Sequence, residues 1–478
     1  MTTSICLFTA DLRLHDNPVL RAALDSAEQV VPLFVLDEAI EAAGFATPNR
    51  AAFLADCLAD LDAGLRRRGG RLVLRRGDVA REACRVAEET DARQVHVAAG
   101  VSRYAARREE RLRAALTGAR RELRVHDSVL TAVPPGAVTP AGKDSFGVFT
   151  PYFGHWQAVE LRDPLGAPHT VPVPDGVVSR PLPEAPGGTS PGLPAGGETE
   201  GRERWRAWSA SGLAAYEDRH DDLAGDATSR LSPYLHFGCL SATELVRRAR
   251  DAGGPGADAF VRQLAWREFH HQVLAARPDA ASRDLRPRGD RWRGDGPEAE
   301  AWRAGRTGYP VIDAAMRQLR HEGWMHNRAR LLAASFLAKT LYVDWRIGAA
   351  HFLEWLVDGD IANNQLNWQW VAGTGTDTRP NRVLNPLVQA RRFDPDGAYV
   401  RRWVPELAGV EGGAVHRPWQ LPEAERAALR YPAPLVDLGG ALARFRDARG
   451  ARPDGAEVRG APGAAPDDVA GGTAEGGR

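Results

Sequence analysis

Lysine is almost missing from this 478-residue chain: Lys143 and Lys339 are the only two, and every other basic residue is arginine. A GC-rich coding bias accounts for most of that choice, although the planar guanidinium also suits bidentate phosphate contacts. Net charge is missing too, because 62 basic residues face 62 acidic ones. The whole-molecule balance therefore gives no sign of a nucleic-acid partner, and that argument has to come from the distribution of charge. Cysteine is scarce, and Cys6, Cys57, Cys84 and Cys239 form no CxxC pair. That spacing argues against a disulfide framework, structural zinc and thioredoxin-like chemistry, predicts no bound metal, and fits a reducing cytosol. No apolar run approaches the ~20 residues that cross a bilayer, and the opening MTTSICLFTADLR lacks the basic start and apolar stretch of a secretory signal. The expectation is a cytoplasmic monomer with no membrane partner.

A length of 478 residues exceeds one ordinary compact unit, and a hydrophobic fraction of 43% supports sizeable cores. The opening third alternates short apolar runs with helical patterns, as a parallel sheet with crossover helices does. Strands are expected over residues 5–8, 30–36, 71–74, 94–98 and 124–129, with helices over 51–68 and 104–116. This predicts a doubly wound parallel α/β domain at 1–135. It holds neither GxGxxG nor GxxxxGK[ST], so Rossmann-type dinucleotide and nucleoside triphosphate binding have no motif support. Residues 136–203 read as a connecting segment, rich in proline and glycine from about 164 onward. A formal GxSxG at Gly188 to Gly192 lacks the strand and helix that make a nucleophile elbow, and chance accounts for it. Helical spacing of apolar and aromatic residues then predicts an all-α domain over 204–449, followed by a disordered tail at 450–478.

Several segments place polar groups where a helix should carry apolar ones. Thr228, Ser229 and Arg230 precede Ser232 and Pro233, a good N-cap and first-turn pair; hydroxyls, a guanidinium and a helix N-terminus together suit a pyrophosphate. In FVRQLAWREFHH, three- and four-residue spacings let Gln263, Trp266, Arg267 and His270 share a face, and a tryptophan among polar groups suits a flat base. WMHNRARLL offers Asn327 with Arg330 and Leu331 on one side. Asparagine and arginine facing inward need partners, which a bound polar cofactor would supply. DGDIANNQLNWQW carries Asp358, Asp360, Asn363, Asn364, Trp368 and Trp370; Asp358 is placed to pair with Arg330, and Asn364 and Trp368 lie one turn apart. Taken singly, the first two segments read better as a capped helix and a core tryptophan, and the last has the ordinary alternative of an acidic first turn before a tryptophan-rich core helix.

In order along the chain, DLRLHDNP, TSRLSP, WREF, GYPVIDAAMRQL, GWMHNR, DGD, NWQW and FDPDGAYVRRWVPEL resemble the signatures of the DNA photolyase and cryptochrome flavoproteins. The likeness covers most of residues 1 to 445 and is strongest to the class I cyclobutane pyrimidine dimer photolyases. It implies an α/β antenna domain and a helical domain holding U-shaped FAD. Its implied FAD contacts are Tyr216, Thr228, Ser229, Arg230, Leu231, Ser232, Arg330, Asp358, Asp360 and Asn364. Trp368, Trp345 and Trp292 take the positions of the family's electron-transfer tryptophans, from the flavin outward. Gln263, Trp266, Asn327, Leu331 and Trp370 take lesion-contacting positions. The implied reaction is light-driven electron donation from reduced FAD to a pyrimidine dimer in UV-damaged DNA, which needs no metal or general acid.

The resemblance has departures. Gln263 stands where the best-known dimer repair enzymes have glutamate, and Leu331 where they have methionine. Photolyases of (6-4) photoproducts share the glutamine but carry histidine at the positions of Asn327 and Leu331. Plant-type cryptochromes commonly replace Asn327, Asn364 and Trp370, all kept here. Dimer repair is therefore expected ahead of (6-4) repair or of a blue-light receptor, and a light-independent oxidoreductase lacks a nicotinamide motif. Ala105 replaces a glutamate expected for a folate antenna, Thr9 and Ala10 an aromatic and basic pair, and Ser145 a proline of the interdomain junction. A second chromophore is expected to be 8-hydroxy-5-deazaflavin rather than methenyltetrahydrofolate.

Overall fold

The computed structural model describes residues 1–450. The tail expected at 450–478 falls, from residue 451, outside the described residues. Five parallel strands, β1 (Thr3–Phe8), β2 (Gln29–Asp37), β3 (Val73–Gly77), β4 (Gln94–Ala98) and β5 (Glu122–His126), form a sheet in the order β3-β2-β1-β4-β5. Chain direction reverses its progress across the sheet between β1 and β4, so the carboxyl ends of those strands flank a topological switch point.

Alternation along β1 decides which core each side chain joins. Ile5 and Leu7 pack with Val79, Val86, Leu112 and Leu116 of the helices Val79–Glu89 and Arg103–Gly118. Cys6 and Phe8 face the other way, onto Val19 and Leu20 of Pro18–Ser26 and Phe53, Leu58 and Leu61 of Pro48–Arg66. That second core continues without a break into the helical part, through Trp156, Tyr234, Leu245 and Phe269. Asn17, Asp78 and Ser102 start three of the crossover helices by accepting Leu20, Arg81 and Ala105 N–H groups.

Two strands differ from their expected limits because pairing outweighs local hydrophobicity. Parallel register with β2, from Leu33 opposite Val73 to Asp37 opposite Gly77, carries β3 past its apolar run through Arg75 and Arg76. The edge strand β5 starts opposite Gln94 and ends at His126, while Val129 is buried in the loop beyond it. Its carbonyl accepts from the buried Arg13 guanidinium.

The proline- and glycine-rich segment has no regular structure, yet it is bound along its length. Val171 N donates to Arg68 O, Val30 N to Pro172 O and Arg180 N to Leu74 O. Farther on, Ser190 Oγ donates to Arg320 O and accepts from Asn49 Nδ2, and Gly192 N donates to His321 O. Ser190 of the formal GxSxG is thus a tie between a crossover helix and the helical part.

From Glu198 onward the described chain is helical. A core of Trp302, Ile312, Met316, Leu332, Phe336, Trp345 and Trp368 lies among the helices Pro310–Glu322, Asn327–Ser335, Trp345–Trp355 and Ile361–Ala372. Gly348 is required there: a Cβ on it would meet Trp368 Cη2 at 2.2 Å. No described helix is long and apolar enough to cross a membrane.

Candidate active site

Five helical segments surround a cavity of about 330 Å³, within the range of roughly 300–1,000 Å³ usual for small-molecule sites. The helix Pro255–Ala276 gives it Gln263, Trp266, Arg267 and His270, the face expected from their spacing. Its other face is fixed by Glu268, whose buried carboxylate accepts from Ala132 N, Val133 N and Trp156 Nε1. Trp266 lies flat on Phe149, with ring centroids 3.8 Å apart and planes 7° from parallel.

Asn327, Arg330 and Leu331 enter from Asn327–Ser335. Arg330 Nη2 donates to Asp358 Oδ2 at 2.8 Å and its Nε donates to Met325 O, giving the pairing expected from sequence. Asp360 caps Ile361–Ala372, its Oδ1 accepting from the backbone and side-chain nitrogens of Asn363. Burial pushes the Asp360 carboxyl up, but His271, His236 and Arg267 together hold it far below the usual carboxylate range. Asn363 Oδ1 in turn faces His270 Nδ1 at 3.1 Å. Burial pulls His270 and His236 down to about 4, so both are neutral at pH 7.

Ile361–Ala372 presents two stripes. Asp360, Asn363, Asn367 and Trp370, spaced three, four and three residues apart, all line the main cavity. Asn364 and Trp368 line an adjoining cavity of about 60 Å³ that shares Asn327, Arg330, Asp358 and Asn367 with the first. Asn364 Nδ2 donates to Ala349 O. The involvement of Asn367 was missed in the sequence, and Asn363 was named there without a role, although that 3-4-3 spacing marks one face of a helix.

The Thr228 to Ser232 segment is only partly as expected. Ser229, Leu231 and Ser232 line the cavity together with Tyr216, whereas Thr228 and Arg230 do not. The Arg230 guanidinium bridges Asp226 and Glu322 and lies 4.3 Å over Trp324, its backbone at φ +51. Two carboxylates thus hold the charge expected at a pyrophosphate. Ser232 is not the N-cap: Leu231 holds that position, and Ser232 Oγ accepts from Trp324 Nε1. The helix it opens, Ser232–His236, has five residues.

Trp368 is buried against Phe352 and Trp302, at 4.9 and 6.0 Å between centroids. Trp345 is fully buried and donates its Nε1–H to Asp284 Oδ1 at 2.9 Å. Trp292 is half-buried, in a loop joined to the start of Trp345–Trp355 by the bridge between Arg293 and Val343.

Several buried polar atoms around these cavities have no protein partner: Asp358 Oδ1, Thr228 Oγ1, His270 Nε2 and Trp368 Nε1. Buried polar groups are rarely left so, and donors and acceptors gathered with an arginine and aromatic walls fit a large polar cofactor such as FAD.

Comparisons with known proteins agree in where they match. A family model described as DNA photolyase matches residues 4–174, and one described as the FAD binding domain of DNA photolyase matches 260–450. A deoxyribodipyrimidine photo-lyase of Streptomyces griseus is 67% identical over 94% of this chain and 100% of its own length. The crystal structure of a class III photolyase from Agrobacterium tumefaciens superposes with a TM-score of 0.88 at 32% identity, covering 94% of this chain and 97% of that one. An archaeal photolyase from Sulfolobus tokodaii, solved with two FAD molecules, gives 0.80 at 29% identity, over 94% and 99%.

Proposed function

The chain belongs to the DNA photolyase family, and on that premise we propose which of its residues carry out light-driven repair of cyclobutane pyrimidine dimers in DNA. The observation that carries the reading is the convergence on one cavity of the Arg330–Asp358 pair, the Asp360 to Trp370 stripe and the Trp266 face. When bound, reduced FAD supplies an electron to the dimer after absorbing light.

The chain's own residues do the rest by holding and shaping. Arg330 would offer a fixed positive charge to the anionic reduced flavin, and Asp358 orients it while keeping Oδ1 free to accept a hydrogen bond. Asn364 faces the adjoining lobe and is assigned to the flavin ring; Tyr216, Ser229, Leu231 and Ser232 line the wall assigned to the rest of FAD. Thr228 and Arg230 are left to contribute through the Thr228 hydroxyl and the backbone. Neutral His236 and His270 keep added charge out of the cavity. Photolyases are among the enzymes known to extrude a target base from the duplex. Trp266 and Trp370 offer flat faces to such bases, with Gln263, Asn327 and Leu331 as the polar and apolar edges between them. Trp368, Trp345 and Trp292 are assigned to carry electrons inward to the flavin.

A second, light-harvesting chromophore is proposed at the carboxyl ends of β1, β2 and β4. Asp37 Oδ2, Tyr104 Oη and Arg108 Nε are buried there without partners, and Arg108 lies over the Tyr104 ring at 5.9 Å. This mix of donor and acceptor suits the ring edge of 8-hydroxy-5-deazaflavin, and Ala105 offers no carboxylate for a folate. The same reading has the protein act as a cytoplasmic monomer, with units at 1–135, 136–203 and 204–449.

The test is to incubate reduced protein with dimer-containing single- and double-stranded DNA under blue light and follow recovery of intact thymines. Light-dependent recovery is expected. Its absence, with FAD bound and photoreducible, would sink the repair reading and leave a photoreceptor.

A further inference from the structure

We propose that Arg50, which belongs to the α/β domain, is a positioning residue of the flavin site: its guanidinium closes the last turn of Trp345–Trp355 and so sets the direction of the Asp358 carboxylate. The proposal rests on the assignment of Asp358 to FAD made above.

The turn that carries Asp358 follows that helix directly, and the helix does not close itself. A left-handed glycine commonly satisfies the last carbonyls of a helix. Here Leu356 follows instead, extended at φ −65 and ψ 123. The α/β domain supplies the missing donors. Arg50 Nη1 donates to Leu353 O and, at 2.8 Å, to Leu356 O, and Asn49 Nδ2 donates to Trp355 O at 2.6 Å. Both residues lie in the first turn of the crossover helix Pro48–Arg66. The peptide dipoles also favour a cation at this end of Trp345–Trp355.

The guanidinium is itself fixed. Arg50 is 4% exposed, its Nε donates to Phe45 O at 2.8 Å, and its Cζ lies 4.3 Å from the Phe45 ring centroid. Burial pulls Arg50 down to about 10 against the opposing effect of the Asp358 charge, so it remains a cation at pH 7.

The turn is shaped around that cation. Gly359, between Asp358 and Asp360, is not left-handed, so its missing side chain answers to space: a Cβ there would meet Arg50 Nη1 at 2.8 Å and Leu356 O at 3.1 Å. Val357 N donates to Gly323 O at 2.8 Å and Asp360 N to Asp358 O at 2.6 Å, which pins the turn on both sides of Asp358. Held there, Asp358 gives one oxygen to Arg330 and leaves the other without a protein partner.

In the test, FAD is titrated into the deflavinated full chain and its Kd read by equilibrium dialysis. Arg50→Met is expected to weaken binding about tenfold, and Arg50→Lys, which keeps the charge without the fork, by less. In the Asp358→Asn background Arg50→Met should add no further loss, because its effect passes through that carboxylate. The midpoint potential of bound FAD should fall in Arg50→Met, since the anionic reduced flavin loses one cation from its surroundings and the fixed position of another. Ser190→Ala, which breaks another tie between the same helix and the helical part, should move neither quantity. An unchanged Kd or an unmoved potential in Arg50→Met overturns the proposal. So does an equal loss with Asp358 already replaced, or in Ser190→Ala, because either makes Arg50 a structural tie only. Where Arg50→Met does not fold, Arg50→Lys carries the same comparisons. If Asp358→Asn binds FAD as the unmodified protein does, the flavin assignment fails; if it weakens binding and Arg50→Met does not, that assignment stands and the proposal fails.

Discussion

Arg330 donates to Asp358 across 2.8 Å, and the second oxygen of that carboxylate is buried with no protein partner. In the proposed reading one side chain thus has two duties, to fix a cation and to meet the flavin cofactor. Asp358→Asn removes the charge and keeps the shape. It should destabilise the protein by about 2–3 kcal/mol, at the low end for a broken buried pair because Arg330 is partly exposed. It should also release FAD, read as flavin absorbance per chain after gel filtration. Unchanged flavin content would remove Asp358 from the binding site.

Trp292→Phe should block photoreduction by external reductants while leaving repair by previously reduced enzyme largely intact. Flavin absorbance under blue light reads the first and thymine recovery the second. Loss of both together would contradict an electron-relay role.

Trp266→Ala removes a ring that already has Phe149 on one side. Stacking on an aromatic ring is worth about 1–3 kcal/mol per base. The variant should bind dimer-containing DNA roughly ten- to a hundred-fold more weakly, measured by fluorescence anisotropy in the dark. Flavin content should not change, because the loss is confined to the lesion side.

The sheet predicts a pH response. Burial, then His126 and Arg124, pull His96 down to about 4 from the ordinary 6.5. Between those values the unfolded chain binds a proton that the folded one refuses. The contribution is fully present above pH 6.5 and is lost as pH falls toward 4. His236, His270 and His326, also buried and pulled down to about 4, act in the same sense. Urea midpoints should drop across this window, and His96→Gln should make the slope shallower by about one proton. Identical slopes would exclude His96.

Glu268 closes three buried N–H groups at once. Glu268→Ala strands all of them and should cost about 3 kcal/mol or more by chemical denaturation, with Glu268→Gln intermediate. A cost below about 1 kcal/mol would mean that water replaces the carboxylate there.

Much of this was legible in the sequence because both domains announce themselves by period. The runs behind β1, β2 and β4 alternate cleanly between two cores, and Gln263, Trp266, Arg267 and His270 share the face their spacing gives them. Arg230 was misread because its identity suits a phosphate, while its direction is set by Asp226 and Glu322, one of them 92 residues away. β3 and β5 were misplaced because register with a neighbour overrides local hydrophobicity. The proline-rich segment was read as a simple connector, since composition reports the absence of helix and strand but not the backbone groups it satisfies on other segments.

Those satisfied groups make the segment a splint. It is held at Arg68, Leu74 and Asn49 on one side and at Arg320 and His321 on the other. A single cut by a glutamyl endopeptidase after the exposed Glu184 would leave each new end already anchored. The nicked chain would migrate as one particle under native conditions and separate into two pieces only in detergent, and continuity of the polypeptide would matter for assembling the molecule more than for keeping it together.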